Sequence, residues 1–243
     1  MNLLVLGANS DIAMAVAHVF AGQAGAAVCL ASRDVQSLEK KARDIALRYQ
    51  VKATALPFDA LDFASHRAFY DGLDPKPDVV LLAFGTMPDQ KAAERDFSLA
   101  RHCLDVNFTG AMSILEIVAA DFESKGRGCI IALSSPAGLR GRKTNYVYGA
   151  AKGALEVCLS GLRQRLFASG ARVLTVLPGF VNTKMTEGMD LPQRLVAEPE
   201  EVAKDIYAAY VRNKDVVYSR WIWRWIMCII RHVPERIFKR MNF

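Results

Sequence analysis

Seven short apolar runs alternate with helical stretches along the chain, and this alternation limits the possible fold more than any other feature. The runs are Leu3–Leu6, Ala27–Ala31, Thr54–Pro57, Val79–Ala83, Cys129–Leu133, Val173–Leu177 and Val216–Tyr218. Short buried strands separated by helices predict a parallel sheet whose right-handed crossovers place helices on both faces. The 243 residues are enough for one large domain of this kind. We therefore predict an α/β fold: a single doubly wound, Rossmann-type domain with a seven-stranded parallel sheet.

The segments between these runs have helical character. The predicted helices are Ile12–Gly22, Val35–Tyr49, Phe97–Ser124, Tyr148–Ala168 and Pro199–Arg212. Ligands bind doubly wound sheets at the carboxyl ends of the strands. Gly7, Gly85 and Ser135 each follow a predicted strand, so we expect them to meet at one edge of the sheet.

A serine, a tyrosine and a lysine form the strongest chemical pattern in the sequence. Tyr148 and Lys152 are four residues apart on a predicted helix, and Ser135 follows the apolar run GCIIALS. Residues at this spacing share one helix face, so the lysine ammonium favours the phenolate and lowers the tyrosine pKa. The tyrosine then serves as an acid or base, and the serine hydroxyl binds the oxygen of a reacting carbonyl. An exposed surface pair is the alternative for Tyr148 and Lys152, and a strand-end cap is the alternative for Ser135.

The turn after the first run, GANSDIA, is a candidate dinucleotide-binding loop. It follows a strand and begins a helix, which is the context such a fingerprint needs. Only Gly7 of the usual three glycines is present, so an ordinary strand-to-helix turn is the alternative. The predicted contacts to the cofactor are Gly7, Asn9, Ser10, Asp11 and Ile12.

The end of the second run indicates which dinucleotide is bound. Ser32 occupies the position where an acid usually holds the ribose of NAD, and Arg33 suits a 2′-phosphate. We therefore predict NADP(H) in preference to NAD(H), with Asp34 as the residue that argues the other way. Asp59 follows the third run and is a candidate acceptor for the adenine amino group, with a helix cap or turn as the alternative.

With these residues together, the chain resembles the short-chain dehydrogenase/reductase family from Met1 to about Arg220. In that family a serine, a tyrosine and a lysine do the chemistry at the spacing of Ser135, Tyr148 and Lys152. An asparagine completes a proton relay, and Asn107 in DVNFTG matches it; an ordinary helix-interior asparagine is the alternative. The resemblance implies transfer of hydride between a nicotinamide and a carbonyl carbon, with these four residues as the catalytic set.

The resemblance also implies further cofactor contacts. They are Ala83, Gly85, Tyr148, Lys152, Pro178, Gly179, Val181 and Thr183. Two departures from the family pattern stand out. The first is the single glycine of the phosphate loop, and the second is Ala83-Phe84-Gly85 in place of the usual Asn-Ala-Gly, which removes a side chain that braces the sheet.

A narrower resemblance concerns the substrate. LLAFGTMPDQ and the end RWIWRWIMCIIRHVPERIFKR are similar to reductases that act on a decaprenylphosphoryl 2-keto-pentose. This implies reduction of the keto group of a polyprenyl-phosphate-linked sugar. A soluble ketoreductase for an acyl or steroid-like ketone and a non-catalytic dinucleotide-binding regulator are the alternatives.

The C-terminal segment, residues 219–243, differs in composition from the catalytic domain predicted for residues 1–218. It carries +5 of the net charge of +6 and holds all three tryptophans. If Ser219–His232 is helical, then Arg220, Arg224 and Arg231 lie within about 40° of one another and form a basic stripe on an otherwise apolar helix. Such a segment is typical of a helix that lies in a membrane interface. Packing on its own fold or across a homo-oligomer interface is the alternative.

The remaining composition excludes several classes. The five cysteines form no CxxC pair, which predicts reduced thiols and a cytoplasmic protein, with the inner face of the membrane as the site of any association. The four histidines lack metal-ligand spacing, so no metal site is predicted. We expect no cleaved leader, no membrane span and no nucleic-acid partner, and we expect a homo-oligomer.

Overall fold

The predicted parallel sheet is present in the computed structural model, which describes residues 1–241. The strands are β1 (Asn2–Leu6), β2 (Ala27–Ser32), β3 (Ala53–Pro57), β4 (Val79–Leu82), β5 (Cys129–Leu133), β6 (Arg172–Pro178), β7 (Phe180–Val181), β8 (Val196–Ala197) and β9 (Val216–Ser219). Seven of them form one sheet in the order β3-β2-β1-β4-β5-β6-β9, and every pairing is parallel. The predicted fold class is confirmed, with strand limits within about a residue of the predicted ones.

Helices cover both faces of this sheet. They are α1 (Asp11–Ala24), α2 (Val35–Tyr49), α3 (His66–Asp71), α4 (Gln90–Arg95), α5 (Phe97–Leu104), α6 (Gly110–Lys125), α7 (Tyr146–Phe167), α8 (Pro199–Val211), α9 (Ile222–His232) and α10 (Glu235–Phe238). Leu3 and Val5 of β1 pack with α1, α2 and α8, whereas Leu4 and Leu6 pack with α3, α6 and α7. This division follows from the alternation of side chains along a strand.

The predicted long helix from Phe97 to Ser124 contains one irregular turn. It begins as α5, passes through a π-helical turn at Asp105–Thr109 and continues as α6. Such single π turns occur often at functional sites, and this one carries Asn107. By length and composition the whole run Phe97–Lys125 could cross a membrane, which the sequence analysis did not anticipate, but half of its most apolar part is buried within the fold.

The segment between β6 and α8 folds over the carboxyl edge of the sheet. Its base is closed by the short parallel pair β7–β8. The backbone N–H of Lys184 donates to Asp11 Oδ2 at 3.2 Å. This bond ties the loop to the first turn of α1, so the loop covers the edge at which the site residues were expected to meet.

The C-terminal segment packs against the domain rather than extending from it. Ser219, placed in the tail by the sequence, is the last residue of β9 and pairs with Pro178. Arg220 precedes the helix with a φ of 52°, and its guanidinium donates to the carbonyls of Arg194 at 2.7 Å and Val196 at 2.8 Å. The predicted three-arginine stripe is therefore wrong: Arg220 is anchored to the loop, and the helix begins only at Ile222.

Candidate functional site

The predicted site residues meet in one cleft at the carboxyl edge of the sheet. This central cleft has a volume of about 1220 Å³. Its wall includes the predicted residues Gly7, Asn9, Ser10, Asp11, Ile12, Ser32, Arg33, Asp59, Ala83, Gly85, Ser135, Tyr148, Lys152, Pro178, Gly179, Val181 and Thr183. Asn107 is fully buried behind this wall.

Ser135 and Tyr148 are brought together by β5 and α7. Ser135 lies just past the end of β5 and caps a short 3-10 turn, where its Oγ accepts from the N–H of Ala137 at 3.2 Å. Tyr148 lies in the first turn of α7, and its phenol is close enough to the Ser135 hydroxyl for Ser135 to lower its pKa. The two hydroxyl groups therefore face one position in the cleft, where a carbonyl oxygen could be bound by both.

Lys152 lies one turn after Tyr148 on α7 and is buried. Its Nζ donates to the carbonyl of Leu133 at 2.9 Å and lies 5.8 Å from the centre of the Tyr148 ring. Burial lowers the pKa of Lys152 to about 8. The carbonyl of the last β5 residue thus fixes the ammonium beneath the reacting position.

The expected lowering of the Tyr148 pKa by Lys152 is not found. Burial raises the pKa of Tyr148 to about 12, and the hydrogen bond from Ser135 and the charge of Arg142 oppose this rise only in part. The cause is that the phenol is removed from water while Lys152 is directed to the carbonyl of Leu133. At neutral pH the phenol therefore holds its proton.

Asn107 connects the π turn to the residues that follow the end of β4, here called the strand-end segment. Its Nδ2 donates to the carbonyls of Thr86 at 2.7 Å and Cys103 at 2.9 Å, and its Oδ1 accepts from the N–H of Thr86 at 3.3 Å. A side chain at Gly85 would come within 2.6 Å of Asn107 Oδ1 and 3.5 Å of Lys152 Nζ. Gly85 thus allows the asparagine and the lysine to approach each other behind the cleft.

The GANSDIA turn brings bare backbone and the start of α1 to the cleft despite its single glycine. Gly7 has a φ of 85°, and a Cβ there would lie 2.4 Å from the backbone nitrogen of Phe84. Ser10 caps α1 through the N–H of Ala13 at 3.5 Å, which leaves the start of the helix at the cleft. Close backbone approach and a helix N-terminus are what an anionic diphosphate needs.

Residues after β2 and β3 line the outer end of the cleft. Ser32 Oγ accepts from Asn9 Nδ2 at 2.8 Å, and Asn9 Oδ1 accepts from Lys41 Nζ at 3.3 Å. Arg33 is exposed at the same end. Lys41 is a cation that the sequence analysis missed, because only the fold brings α2 back to the glycine turn.

Asp59 makes the local bond that its structural alternative predicted, and Asp34 forms a helix cap that the sequence analysis did not predict. Asp59 Oδ1 accepts from the N–H of Leu61 at 3.0 Å, and the buried His66 holds the Asp59 carbonyl at 2.9 Å. Asp34 caps α2 through the N–H of Ser37 at 3.1 Å. The cap engages Asp34 Oδ1, so this carboxylate has a structural role at the start of α2.

The tail supplies part of the cleft wall, which the sequence analysis did not predict. The indole of Trp223 on α9 packs edge-on to Phe180 at 5.0 Å. A Cβ at Gly179 would lie 1.7 Å from Trp223 Nε1. Gly179 is therefore needed for the helix to dock, and α9 closes the cleft beside the Pro178-Gly179 turn.

Three polar residues of the cleft wall were also missed by sequence. Arg142, Gln90 and Asn145 all line the cleft close to Tyr148. Arg142 was visible only as one of several basic residues in RGRKTN, and Gln90 lies far from Tyr148 in the sequence. Nothing in the sequence pairs Gln90 with α7, whereas in the fold its Oε1 accepts from the N–H of Val147 at 3.1 Å.

Glu156 lies one turn below Lys152 and extends the buried polar network. Ser134 Oγ donates to Glu156 Oε1 at 2.8 Å. Burial raises the pKa of Glu156 to about 7, against the opposing effects of Ser134 and Lys152. Across residues 1–241, no group of three His, Cys, Asp or Glu side chains is placed to hold a metal ion.

Comparison with known proteins agrees with this geometry. The model of the short chain dehydrogenase family matches residues 1–193. An uncharacterized oxidoreductase of Mycobacterium tuberculosis is 35% identical over 242 residues, covering 98% of this chain and 96% of that protein. An uncharacterized oxidoreductase of Streptomyces coelicolor is 35% identical over 243 residues, covering 99% and 95%.

Two solved structures share the fold over nearly the whole chain. A short-chain dehydrogenase from Sphingobium yanoikuyae in complex with NADPH superposes with a TM-score of 0.83 at 22% identity, covering 99% of this chain and 96% of that one. A short chain dehydrogenase from Burkholderia cenocepacia in complex with NADP gives 0.84 at 20% identity, covering 100% and 97%.

Proposed function

The chain belongs to the short-chain dehydrogenase/reductase family as an NAD(P)-dependent oxidoreductase, and we propose that it reduces a carbonyl group to an alcohol. One observation carries the proposal. Ser135, Tyr148 and Lys152 meet at the end of β5, in the same cleft as the glycine turn after β1. The reacting carbonyl and the dinucleotide then share one cleft.

The residues of this cluster divide the work of the reaction. Ser135 and Tyr148 bind the carbonyl oxygen, and Tyr148 donates its proton to the oxygen as negative charge develops there. Its raised pKa of about 12 keeps the phenol protonated at neutral pH, which is the form that reduction requires. Lys152 holds its ammonium 5.8 Å from the centre of the Tyr148 ring, so a positive charge lies close to the phenolate that remains, although in the resting phenol burial outweighs this effect.

Asn107 is a positioning residue in this scheme. Both its amide atoms are engaged by the backbone of Thr86 and Cys103, so it fixes the strand-end segment that passes over Lys152. We propose that it also orients a water molecule through which Lys152 exchanges its proton with solvent.

The cleft fits a nicotinamide dinucleotide, which supplies hydride to the carbonyl carbon when it is bound. Gly7 supports this fit, because its backbone conformation and the lack of space for a Cβ leave the backbone at the start of α1 uncovered by a side chain. Asn9, Ser10, Asp11 and Ile12 would hold the diphosphate. Pro178, Gly179, Val181 and Thr183 would line the nicotinamide end.

We propose a preference for NADPH over NADH. Arg33 is exposed at the outer end of the cleft, and Lys41 reaches the same place through Asn9. The nearest carboxylate, that of Asp34, caps α2. Two cations beside a serine favour a 2′-phosphate over a free ribose hydroxyl.

For the substrate we propose the keto group of a polyprenyl-phosphate-linked sugar, because of how the tail is arranged. Trp221, Trp225 and Ile229 are 73%, 61% and 69% exposed. With Ile222 they lie within about 100° of one another around α9. Trp223 points the opposite way, into the cleft wall, so the apolar face lies directly behind the active site.

Cations lie along one flank of this exposed apolar face and in the segment that follows it. Arg224, Arg231, Arg236, Lys239 and Arg240 are all exposed on or after α9. Exposed tryptophans and isoleucines beside cations are typical of a helix that binds an anionic bilayer from one side. We propose that α9 rests on the membrane surface and holds the cleft close to a lipid-linked substrate.

A vesicle assay separates this proposal from a soluble ketoreductase or a tail that serves a homo-oligomer. Vesicles with anionic lipid should sediment the protein at low salt, and less at high salt. Replacing Trp221 and Trp225 by serine should abolish sedimentation, whereas replacing Phe167 on α7 by serine should not, although Phe167 is even more exposed. A wild-type protein that remains in the supernatant and forms a dimer through α9 would support the oligomer instead.

The reaction itself is tested with a panel of ketones and both reduced dinucleotides. The panel contains a neutral aliphatic ketone, an acyl thioester, a steroid ketone and a prenyl-phosphate keto-pentose. Loss of the reduced nicotinamide absorbance reports turnover. Turnover of the lipid-linked ketone alone supports the full proposal, and turnover of only the thioester or the steroid would replace its substrate. Absence of turnover with every ketone would refute it.

A further inference from the structure

Arg142 carries a positive charge inside the central cleft without a partner among residues 1–241. It lies between β5 and α7, is half-buried and lines the cleft with Tyr148. Within residues 1–241, no carboxylate is at ion-pair distance from Arg142 and no hydrogen bond involves its guanidinium. Burial lowers the pKa of Arg142, and the proximity of Tyr148 acts in the opposite direction.

Arg140, two residues earlier, shows what a structural arginine does in this segment. Its guanidinium donates to Glu235 Oε2 at 2.7 Å and to the carbonyl of Arg231 at 3.2 Å. It also lies 4.2 Å from the centre of the Phe238 ring. Arg140 thus secures the tail, whereas Arg142 has no such role. A half-buried guanidinium is costly without an anion to pair with.

Gln90 lines the same cleft and provides a second group without a partner among the described residues. It is only 5% exposed, and its Oε1 is fixed by the N–H of Val147 at 3.1 Å. Its Nε2 is buried and makes no hydrogen bond. Since a buried donor is almost always satisfied and Gln90 lines the cleft, this amide is available to an acceptor that a ligand brings.

The start of α7 completes the polar surface. The helix has 22 residues, with no acidic side chain in its first turn and no side-chain cap from Asn145. Asn145 Oδ1 is instead a second buried atom without a partner, and it lines the cleft. The positive end of a long helix favours an anion, and Asn145 Oδ1 can accept from a hydroxyl group of the same ligand.

We propose that the substrate carries an anionic group, a phosphate or a carboxylate, which Arg142 and Gln90 Nε2 bind beside the reacting carbonyl. The inference rests on the proposed function for the position of that carbonyl, at Ser135 and Tyr148. It makes Arg142 a specificity-determining residue and disfavours a neutral steroid-like ketone. The guanidinium presents a planar pair of donors, which matches the oxygens of either anion.

Binding measured without turnover tests the proposal. The protein is first saturated with NADP⁺, so that any 2′-phosphate position is filled. Phenyl phosphate, benzoate and benzamide are then titrated by calorimetry; these probes share a ring and differ in being a phosphate, a carboxylate and a neutral amide. At least one of the anions should bind, and benzamide should bind about 10-fold more weakly or not at all.

Three variants locate the binding site. Arg142→Gln should lower the affinity for the anionic probe by about 10- to 100-fold. Arg142→Lys should lower it less, because lysine keeps the charge but not the planar donors. Lys143→Gln, which removes the adjacent exposed charge outside the cleft wall, should have no effect. Unchanged NADP⁺ affinity in all three shows that each variant is folded.

The outcomes also separate this inference from the reductase proposal. Equal affinity for benzamide and the anions, or equal losses in Arg142→Gln and Lys143→Gln, would overturn the anion site whatever the enzyme reduces. Arg142-dependent anion binding without turnover of any ketone would keep the anion site and remove the reductase proposal. The probe that binds more tightly, phenyl phosphate or benzoate, shows whether the anionic group of the substrate is a phosphate or a carboxylate.

Discussion

The contact between Gly179 and Trp223 predicts an unusual pair of mutational effects. Gly179→Ala places a methyl group 1.7 Å from the unaltered position of Trp223 Nε1, so the indole must move. Trp223 is only 6% exposed and rests on Phe180. Overpacking of this kind costs about 1–3 kcal/mol. Loss of the indole in Trp223→Ala costs about 3–5 kcal/mol.

The double variant should be about as stable as Trp223→Ala alone. With the indole removed, the new methyl group has space and lies in a backbone conformation open to alanine, so Gly179→Ala should then cost less than about 0.5 kcal/mol or stabilise slightly. The coupling energy is therefore about 1–3 kcal/mol, as found for residues in direct contact.

Urea unfolding of the four proteins measures this coupling. Gly161→Ala is the matched control, because nothing lies within 4 Å of its Cβ position and alanine is the better helix former. The opposing result is that Gly179→Ala lowers the free energy of unfolding by the same amount in the wild-type background and in the Trp223→Ala background. That result would show that Trp223 does not pack on Gly179 and that α9 is not part of the cleft wall.

Three further predictions concern the cofactor loop, the cofactor and pH. Gly7→Ala should weaken dinucleotide binding and destabilise the fold by about 2–4 kcal/mol in urea unfolding, because its φ of 85° and the backbone of Phe84 both exclude a Cβ. Arg33→Gln should raise the KM for NADPH about 10-fold or more and leave that for NADH within about 2-fold; equal effects would show that Arg33 does not bind a 2′-phosphate. The raised pKa of Glu156, about 7, means that the folded state favours the protonated acid, so its stabilising contribution is complete below the ordinary pKa of about 4.3 and is lost as pH rises through 7. The free energy of unfolding of the wild type should therefore decrease from pH 5 to pH 8. In Glu156→Gln this decrease should be smaller by up to about 3 kcal/mol, and parallel plots of unfolding free energy against pH for the two proteins would contradict this account.

Local patterns predicted the sheet because each strand is short, apolar and separated from the next by a helix. β1 shows why this worked, since NLLVL is buried on both faces and can hardly be anything but a central parallel strand. The spacing of Tyr148 and Lys152 predicted their shared helix face for the same reason. Both patterns depend on neighbours along the chain, which a sequence displays directly.

The features that were missed depend on contacts distant in the sequence. Gln90 meets Val147, Lys41 meets Asn9, and Trp223 meets Gly179 only after the chain has folded. The helical wheel for the tail failed at Arg220 because the carbonyls of the loop before α8 hold that side chain and the preceding strand extends to Ser219. The effect of Lys152 on Tyr148 was misjudged because burial outweighs the charge when the ammonium is turned toward Leu133.

Turnover by Tyr148→Phe tests the central claim most directly, because only the proton-donating hydroxyl is removed. With NADPH and the best ketone of the panel, kcat should fall by about 100-fold or more, while NADPH affinity measured by fluorescence titration should stay close to that of the wild type. A variant that binds NADPH and retains near-normal kcat would show that another group protonates the carbonyl oxygen, and the assignment of Tyr148 as the acid would then be wrong.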